Sequence, residues 1–210
     1  MFGLFRKTNW PQLTFDEIKK RARILVIDDN DFPYQELFER EGYSIDKWED
    51  IIDLQKLEDG YYDIILLDIQ GVGASHTEEQ GFGILKHLRS TSPTQIVIAY
   101  SNSDWSLKYQ EFFDLADSRL DKRADYVEFK RTVDSLLRER FSLGFYINRI
   151  EKALGDSVSD REKLRKLVEK SVHNKATNQL SKYLNAHVLD KDKVQIALNI
   201  AQVAIGIASL

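Results

Sequence analysis

The sequence predicts an α/β protein: a five-stranded parallel, doubly wound sheet over residues 23–141, followed by an all-helical region. Three observations carry this reading. The stretch Tyr62 to Gln70, Y-D-I-I-L-L-D-I-Q, is an apolar run brought to a stop by Asp68 and flanked by Gly60, Gly71 and Gly73. Such a run suits a strand covered on both faces, with a carboxylate at its exit. Other short apolar runs alternate with amphipathic segments up to about residue 140, and beyond Arg140 the strand signals stop.

Each element follows in order. An arm runs to about Ala22, with Phe15, Ile18 and the basic residues Lys19 to Arg23 suggesting one short helix after Pro11. From Arg23 the chain reads I-L-V-I-D-D, a strand that also ends on acids. Tyr34 to Glu41 reads as a helix stopped by Gly42, Tyr43 to Trp48 as a second strand, and Ile51, Ile52, Leu54 and Leu57 as a second helix. After the Asp68 strand come a glycine-containing loop, a helix from about Glu78 to Arg89, and the strand Ile96 to Tyr100. A helix over Trp105 to Leu115, a short strand near Arg119 to Asp121 and a long helix from about Asp125 complete the alternation. Right-handed crossovers fold such a chain into a parallel sheet with helices on both faces. Ligands collect beyond the carboxyl ends of its strands, where Asp28, Asp29 and Asp68 stand.

Composition narrows the function. The 210 residues are 42% hydrophobic and 30% charged, the balance of a globular protein. There is no cysteine, which excludes disulfides and thiolate metal sites and fits a reducing, cytoplasmic setting. The start, MFGLFRKTNW, is too short and too quickly polar for a signal peptide. A net charge of -4 gives no general case for nucleic acid, but residues 144–193 carry about four more Lys and Arg than Asp and Glu. Two regions with different partners are implied.

Residues 23 to about 140 resemble the receiver domain of two-component response regulators. The resemblance rests on the acidic pair Asp28 and Asp29 after the first strand, Asp68 after the third, Ser101 and Asn102 after the fourth, and Lys122 after the fifth. Their spacings of about forty, thirty and twenty residues fit a flavodoxin-like order. It implies that Asp68 is the phosphoacceptor, a nucleophile that becomes an aspartyl phosphate. Phosphoryl transfer is mostly positioning and charge neutralisation. Asp28, Asp29, Asp68 and the backbone carbonyl of Gln70 are accordingly expected to hold Mg²⁺, with Lys122 and the Ser101 hydroxyl on the phosphoryl oxygens. The implied protein is a phosphoacceptor and not an enzyme in its own right, served by a histidine kinase or phosphotransfer protein. Two alternatives stand beside it: a phosphorylation-independent receiver-like scaffold, and a transcription regulator with an atypical helical DNA-binding region.

Departures from the family pattern point to an unusual readout. The loop after Asp68 reads I-Q-G-V-G-A-S-H-T-E-E-Q-G without a Met-Pro step, Arg123 stands where a Pro is usual, and Arg119 stands where an aromatic is common. Gly71, Gly73 and Gly81 do not complete a dinucleotide fingerprint. His76 reads as a solvated loop residue, and Trp10, Trp48 and Trp105 as packing, with Trp105 a candidate fluorescent reporter.

Leading into the region 142–210, Val133, Leu137, Phe141, Gly144, Ile147, Ile150 and Leu154 recur at helical spacing, so the last receiver helix is expected to run on to Leu154 and stop at Gly155. A second helix from Ser159 or Asp160 is expected to reach Val188, and a third, capped by Asp190 or Asp192, to pack against it as an antiparallel hairpin. The third keeps one polar line, Gln195, Asn199, Gln202 and Ser209, and is too short and polar for a membrane span. Its apolar circumference predicts burial in a homodimer or against a helical protein partner. No helix-turn-helix or winged hairpin is present, which argues against DNA. The cluster Lys163, Arg165, Lys166 and Lys170 reads as a solvated face, and His173 lacks the surroundings of a phosphotransfer histidine.

Overall fold

The structure is a computed structural model that describes residues 10–102 and 110–210. The chain divides into an α/β unit, Leu13–Arg140, and a helical unit that joins Phe141–Leu210 to residues 10–12. The divisions fall at 12/13 and 140/141, against 22/23 and 141/142 read from the sequence. Helix α1 (Phe15–Arg21) accounts for the first difference, because it packs within the α/β unit against the strand Ser44–Trp48 and the helix Tyr126–Arg140. Thr14 and Glu17 close a reciprocal capping box at its start, with the Thr14 N–H donating to Glu17 Oε2 at 2.8 Å.

Five parallel strands, β1 (Arg23–Ile27), β2 (Ser44–Trp48), β3 (Ile64–Asp68), β4 (Ile96–Ser101) and β5 (Ser118–Asp121), lie in the order β2-β1-β3-β4-β5. Every residue of β3 and β4 is buried, whereas the edge strand β2 alternates. Central strands covered on both faces require continuous apolar sequence, and edge strands do not. Alternate side chains serve the two faces. Leu25, Leu67 and Val97 pack with Leu85 of α4 (Gly81–Thr91) and Phe112 of α5 (Gln110–Leu115), and Leu57 of α3 (Leu54–Glu58) joins them. On the other face Tyr100 meets Phe129 of α6 (Tyr126–Arg140) edge to face, and Phe38 of α2 (Gln35–Arg40) meets Tyr126 in the same way. The segment 103–109, with Trp105, lies outside the described residues.

The helical unit corrects two sequence expectations. The helix expected to run on to Leu154 is two helices, α6 and α7 (Leu143–Leu154). Ser142 adopts an extended backbone, and its side chain accepts from the Phe145 N–H at 3.2 Å, so it caps a new helix inside a continuous apolar rhythm. Gly155 ends α7 at φ +55°. The helix expected to reach Val188 is likewise α8 (Arg161–Asn174) and α9 (Asn178–His187), parted at Lys175, which takes the left-handed φ of 51°. A Lys there carries none of the signal a Gly would.

The final helix, α10 (Lys191–Ile207), is capped by Asp190, which accepts from the N–H groups of Asp192 and Lys193. Val194, Ala197, Ile200, Ala201 and Ala204 are buried, and α10 packs against α7, α8 and α9 together. Three helices of its own chain thus pack on it, where a hairpin with one neighbour and burial by a second molecule were expected, and Val203 stays exposed. Among the described residues no helix is long and apolar enough to cross a membrane. Trp10 belongs to this unit: its indole N–H donates to the Phe141 carbonyl at 2.8 Å and its ring packs on Tyr146.

Caps of this kind have measurable weight. Asp160 accepts from the Lys163 N–H at 2.9 Å at the start of α8. Asp160→Ala is expected to cost about 1 kcal/mol in denaturant unfolding of the helical unit, while Asp160→Asn is nearly neutral.

Candidate functional site

Parallel register brings the sequence-predicted residues to one edge of the sheet. Ile27 pairs with Leu67, so Asp28, the next residue, emerges beside Asp68 at the end of β3. Asp68 pairs with Tyr100, and Ser101 with Asp121, which places Lys122 just beyond β5. The Lys122 N–H also donates to the Ser101 carbonyl at 3.3 Å. Asp28, Asp29, Asp68, Ser101 and Lys122 therefore share the carboxyl edge, although they are spread over almost a hundred positions of sequence.

The geometry is close. One carboxylate oxygen from each of Asp28, Asp29 and Asp68 lies within 4.8 Å of the others. Asp28 and Asp68 are buried, Asp29 is exposed, and Ser101 is buried on the neighbouring strand. The Lys122 ammonium sits 2.6 Å from an Oδ2 of both Asp28 and Asp68. Asp68 Oδ1 accepts from the Ile69 N–H at 2.7 Å and from the Gln70 N–H at 3.5 Å, so the turn leaving β3 is oriented by the carboxylate it follows. The Gln70 side chain is exposed.

Charge is incompletely balanced. Burial pushes the Asp68 carboxyl above the ordinary range, and the bond from Lys122 opposes this only in part. Burial likewise pulls the Lys122 ammonium down, but its bonds to Asp28 and Asp68 outweigh that and hold it above the ordinary lysine value. The two directions agree once one ammonium is seen to be shared between two carboxylates. Buried charges cost several kcal/mol each after relaxation. The four fully buried apolar side chains of β3, at about 2 kcal/mol apiece, are of a size to offset this.

These residues fit a hard divalent cation. Three carboxyl groups against one ammonium leave about two negative charges, all on oxygen donors. Gly71 follows at φ +82°, and a Cβ there would lie 2.5 Å from Asp29 Oδ2, so the backbone closes against the acidic cluster where only glycine is accommodated.

Several contributing residues escaped the sequence reading. Asn30 donates from its backbone to Asp28 Oδ1 at 2.9 Å and from its side chain to Asp29 Oδ1 at 2.7 Å, holding the acidic pair in place. An Asn two positions after an Asp in a strand-exit turn was the available signal. Tyr100 walls the site: burial first, then the charges of Asp28 and Asp68, push its hydroxyl above the usual range, and Lys122 stands 5.2 Å from its ring. Asp50 takes the N–H groups of Ile51 and Gly73, tying the loop after β2 to the loop after β3. Gln80 adopts φ +54°, a costly backbone for a non-glycine residue, and its side chain accepts from the Gly71 N–H at 3.0 Å.

The departures from the receiver pattern have definite places. Arg119 is exposed on β5, its guanidinium 5.2 Å from the Phe113 ring and 3.3 Å from Asp114. Arg123 holds Asp121 through its backbone and guanidinium, and this pairing draws the Asp121 carboxyl down to about 2. His76 is exposed, its ring 2.9 Å from the Ser75 hydroxyl.

A five-stranded parallel sheet in the order 2-1-3-4-5, wound on both faces, with acids and a lysine at its carboxyl edge, is a flavodoxin-like fold, and a helical region follows it. Among solved structures the chain is similar to the CheY-like response regulator receiver domain protein of Methanospirillum hungatei, at 22% identity over 57% of this chain and 95% of that one, TM-score 0.48. It is similar to the signal receiver domain of a Luxo repressor protein of Vibrio parahaemolyticus, at 21% identity over 57% and 92%, TM-score 0.48. A response regulator of Thermotoga maritima, solved with Mg²⁺ and BeF, is 28% identical over 55% and 98%, TM-score 0.44. No protein-family model and no curated protein matches the chain.

Proposed function

We propose that the protein is a two-component response regulator in which Asp68 accepts a phosphoryl group from a histidine kinase or phosphotransfer protein. The observation that carries this is the Lys122 ammonium 2.6 Å from both Asp28 and Asp68, at the edge where Ser101 also ends its strand. An Asp68 oxygen attacks phosphorus while the bond from phosphorus to the donor breaks, and the electron pair leaves with the donor. Lys122 then exchanges a carboxylate partner for a phosphoryl oxygen, and the Ser101 hydroxyl donates to another. Asp28, Asp29, Asp68 and the Gln70 carbonyl are the groups that would hold Mg²⁺. The ion, when bound, offsets the repulsion between carboxylates and phosphoryl oxygens. The protein is a cytoplasmic phosphoacceptor, not an enzyme that turns over a separate substrate.

The output is carried by protein–protein contacts or dimerisation of the helical region. Residues 13–140 carry 17 Lys and Arg against 27 Asp and Glu, whereas the rest of the chain carries 13 against 7. The two segments thus present opposite charge to partners. Leu189, Val203 and Leu210 are exposed apolar side chains of the helical unit.

The test is intact mass after incubation with acetyl phosphate. Wild type is expected to gain a single phosphoryl group in Mg²⁺ and none in excess chelator. No gain in Mg²⁺, under conditions that label a control receiver, would leave the phosphorylation-independent scaffold as the better reading.

A further inference from the structure

The loop between β3 and α4 has a backbone that its sequence does not favour. Gln80 stands at φ 54° and ψ −135°, and with Lys175 it is one of two non-glycine residues at positive φ among those described. Lys175 ends a helix, where a left-handed residue is ordinary. Gln80 precedes one, and its side chain reaches back nine residues to accept from the Gly71 N–H at 3.0 Å. Its backbone is held on both sides, by the Thr77 carbonyl on its N–H and by the Ile84 N–H on its carbonyl.

The Gly71 N–H belongs to the same peptide plane as the Gln70 carbonyl. No cis peptide occurs among the described residues, and in a trans plane the carbonyl points opposite to the N–H. An acceptor fixed on one therefore fixes the direction of the other. The same bond holds Gly71 where Asp29 lies against its Cα, since a Cβ there would come within 2.5 Å of Asp29 Oδ2. Asp50 holds the Gly73 N–H two residues further on, so this turn is fastened at two points and Gln80 is the one next to the acidic cluster.

We infer that Gln80 is a positioning residue for the cation site: its side chain orients the Gln70–Gly71 peptide so that the Gln70 carbonyl and the Asp29 carboxylate are held ready for Mg²⁺. This rests on the proposed reading of that site as a Mg²⁺-dependent receiver centre. Groups that orient metal ligands through hydrogen bonds typically change metal affinity by about 10- to 100-fold when removed.

Three proteins test it: wild type, Gln80→Gly and Gln80→Glu. Glycine accepts the backbone angle and removes the acceptor, whereas glutamate keeps an acceptor of the same reach. Mg²⁺ affinity is read by calorimetric titration without any phosphodonor, and exchange of the Gly71 amide is read in the metal-free proteins. The expected result is Mg²⁺ binding weakened about 10-fold or more in Gln80→Gly, with faster Gly71 exchange and an undiminished melting temperature in chelator. Gln80→Glu is expected to keep Gly71 protected and to bind at least as tightly as about threefold weaker than wild type. Wild-type affinity in Gln80→Gly, or weak binding in Gln80→Glu despite a protected Gly71 amide, overturns the inference and leaves the receiver reading standing. A wild-type protein that binds no Mg²⁺ overturns both, which separates the two failures.

Discussion

Asp68→Asn is expected to abolish phosphoryl uptake and at the same time to stabilise the metal-free protein. Asparagine keeps the size of the side chain but offers a weakly nucleophilic amide in place of a carboxylate. The stability change follows from charge. Burial raises the Asp68 carboxyl above the ordinary range even with Lys122 beside it, so the folded protein disfavours the ionised form relative to the unfolded chain. A neutral amide removes that penalty and the repulsion from Asp28, while Lys122 keeps its 2.6 Å contact with Asp28. A gain in stability is therefore expected in chelator. In Mg²⁺ the order is expected to reverse, because wild type offers one more carboxylate to the ion and gains more binding free energy from it. Melting both proteins in chelator and in Mg²⁺ checks this, and an Asn variant less stable than wild type in chelator would show that the Lys122 pair outweighs burial.

The largest loss of stability is expected from Gly81→Ala. A Cβ at Gly81 would lie 1.9 Å from the Asp68 carbonyl oxygen and 3.1 Å from the Ile69 Cα. Those atoms are backbone at the end of the central, fully buried strand β3, and cannot rotate away as a side chain could. The helix α4 must therefore lift from the sheet edge, at a cost of about 3 kcal/mol or more, and Mg²⁺ affinity should fall with it. Gly206→Ala is the internal comparison. A Cβ there meets nothing within 4 Å, and alanine in a helix is favoured over glycine by up to about 1 kcal/mol. Denaturant titration of the two variants gives shifts of opposite sign if close backbone approach, and not the loss of glycine as such, is what matters.

The sheet and the residue types at its carboxyl edge were open to sequence reading because both are local patterns. An Ile- and Leu-rich run ending in Asp68 states the burial of β3 and the place of its acid in nine residues, and four such endings in the right order fix the edge on which they meet. The helix boundaries were less open. The apolar rhythm passes through Ser142 unbroken, yet its hydroxyl caps α7, since a cap depends on one hydrogen bond and the rhythm does not register it. The same holds at Lys175, where the left-handed conformation carries no glycine to announce it.

Burial of α10 shows a different limit. Its wide apolar surface was expected to be hidden by a second molecule; α7, α8 and α9 bury Val194, Ala197, Ile200, Ala201 and Ala204, and Val203 stays exposed. Counting apolar residues states how much surface must be hidden, and only the packing of elements states what hides it. Gln80 is the same case at atomic scale. Its residue type suggests a solvated loop position, and its role depends on the Gly71 N–H nine residues back and on a backbone angle that tertiary contacts impose.

From the sequence alone come the alternation of strands and helices, the acids at the strand ends, Ser101 and Lys122, because hydrophobic period and residue chemistry are properties of short segments, while the strand order followed from the family resemblance. Three-dimensional folding supplies the shared Lys122 ammonium, the raised Asp68 carboxyl, the cover over α10 and the fastening of the Gln70–Gly71 peptide. Each of these is set by distances of a few ångströms between residues far apart in the chain, and such distances have no counterpart in a linear pattern.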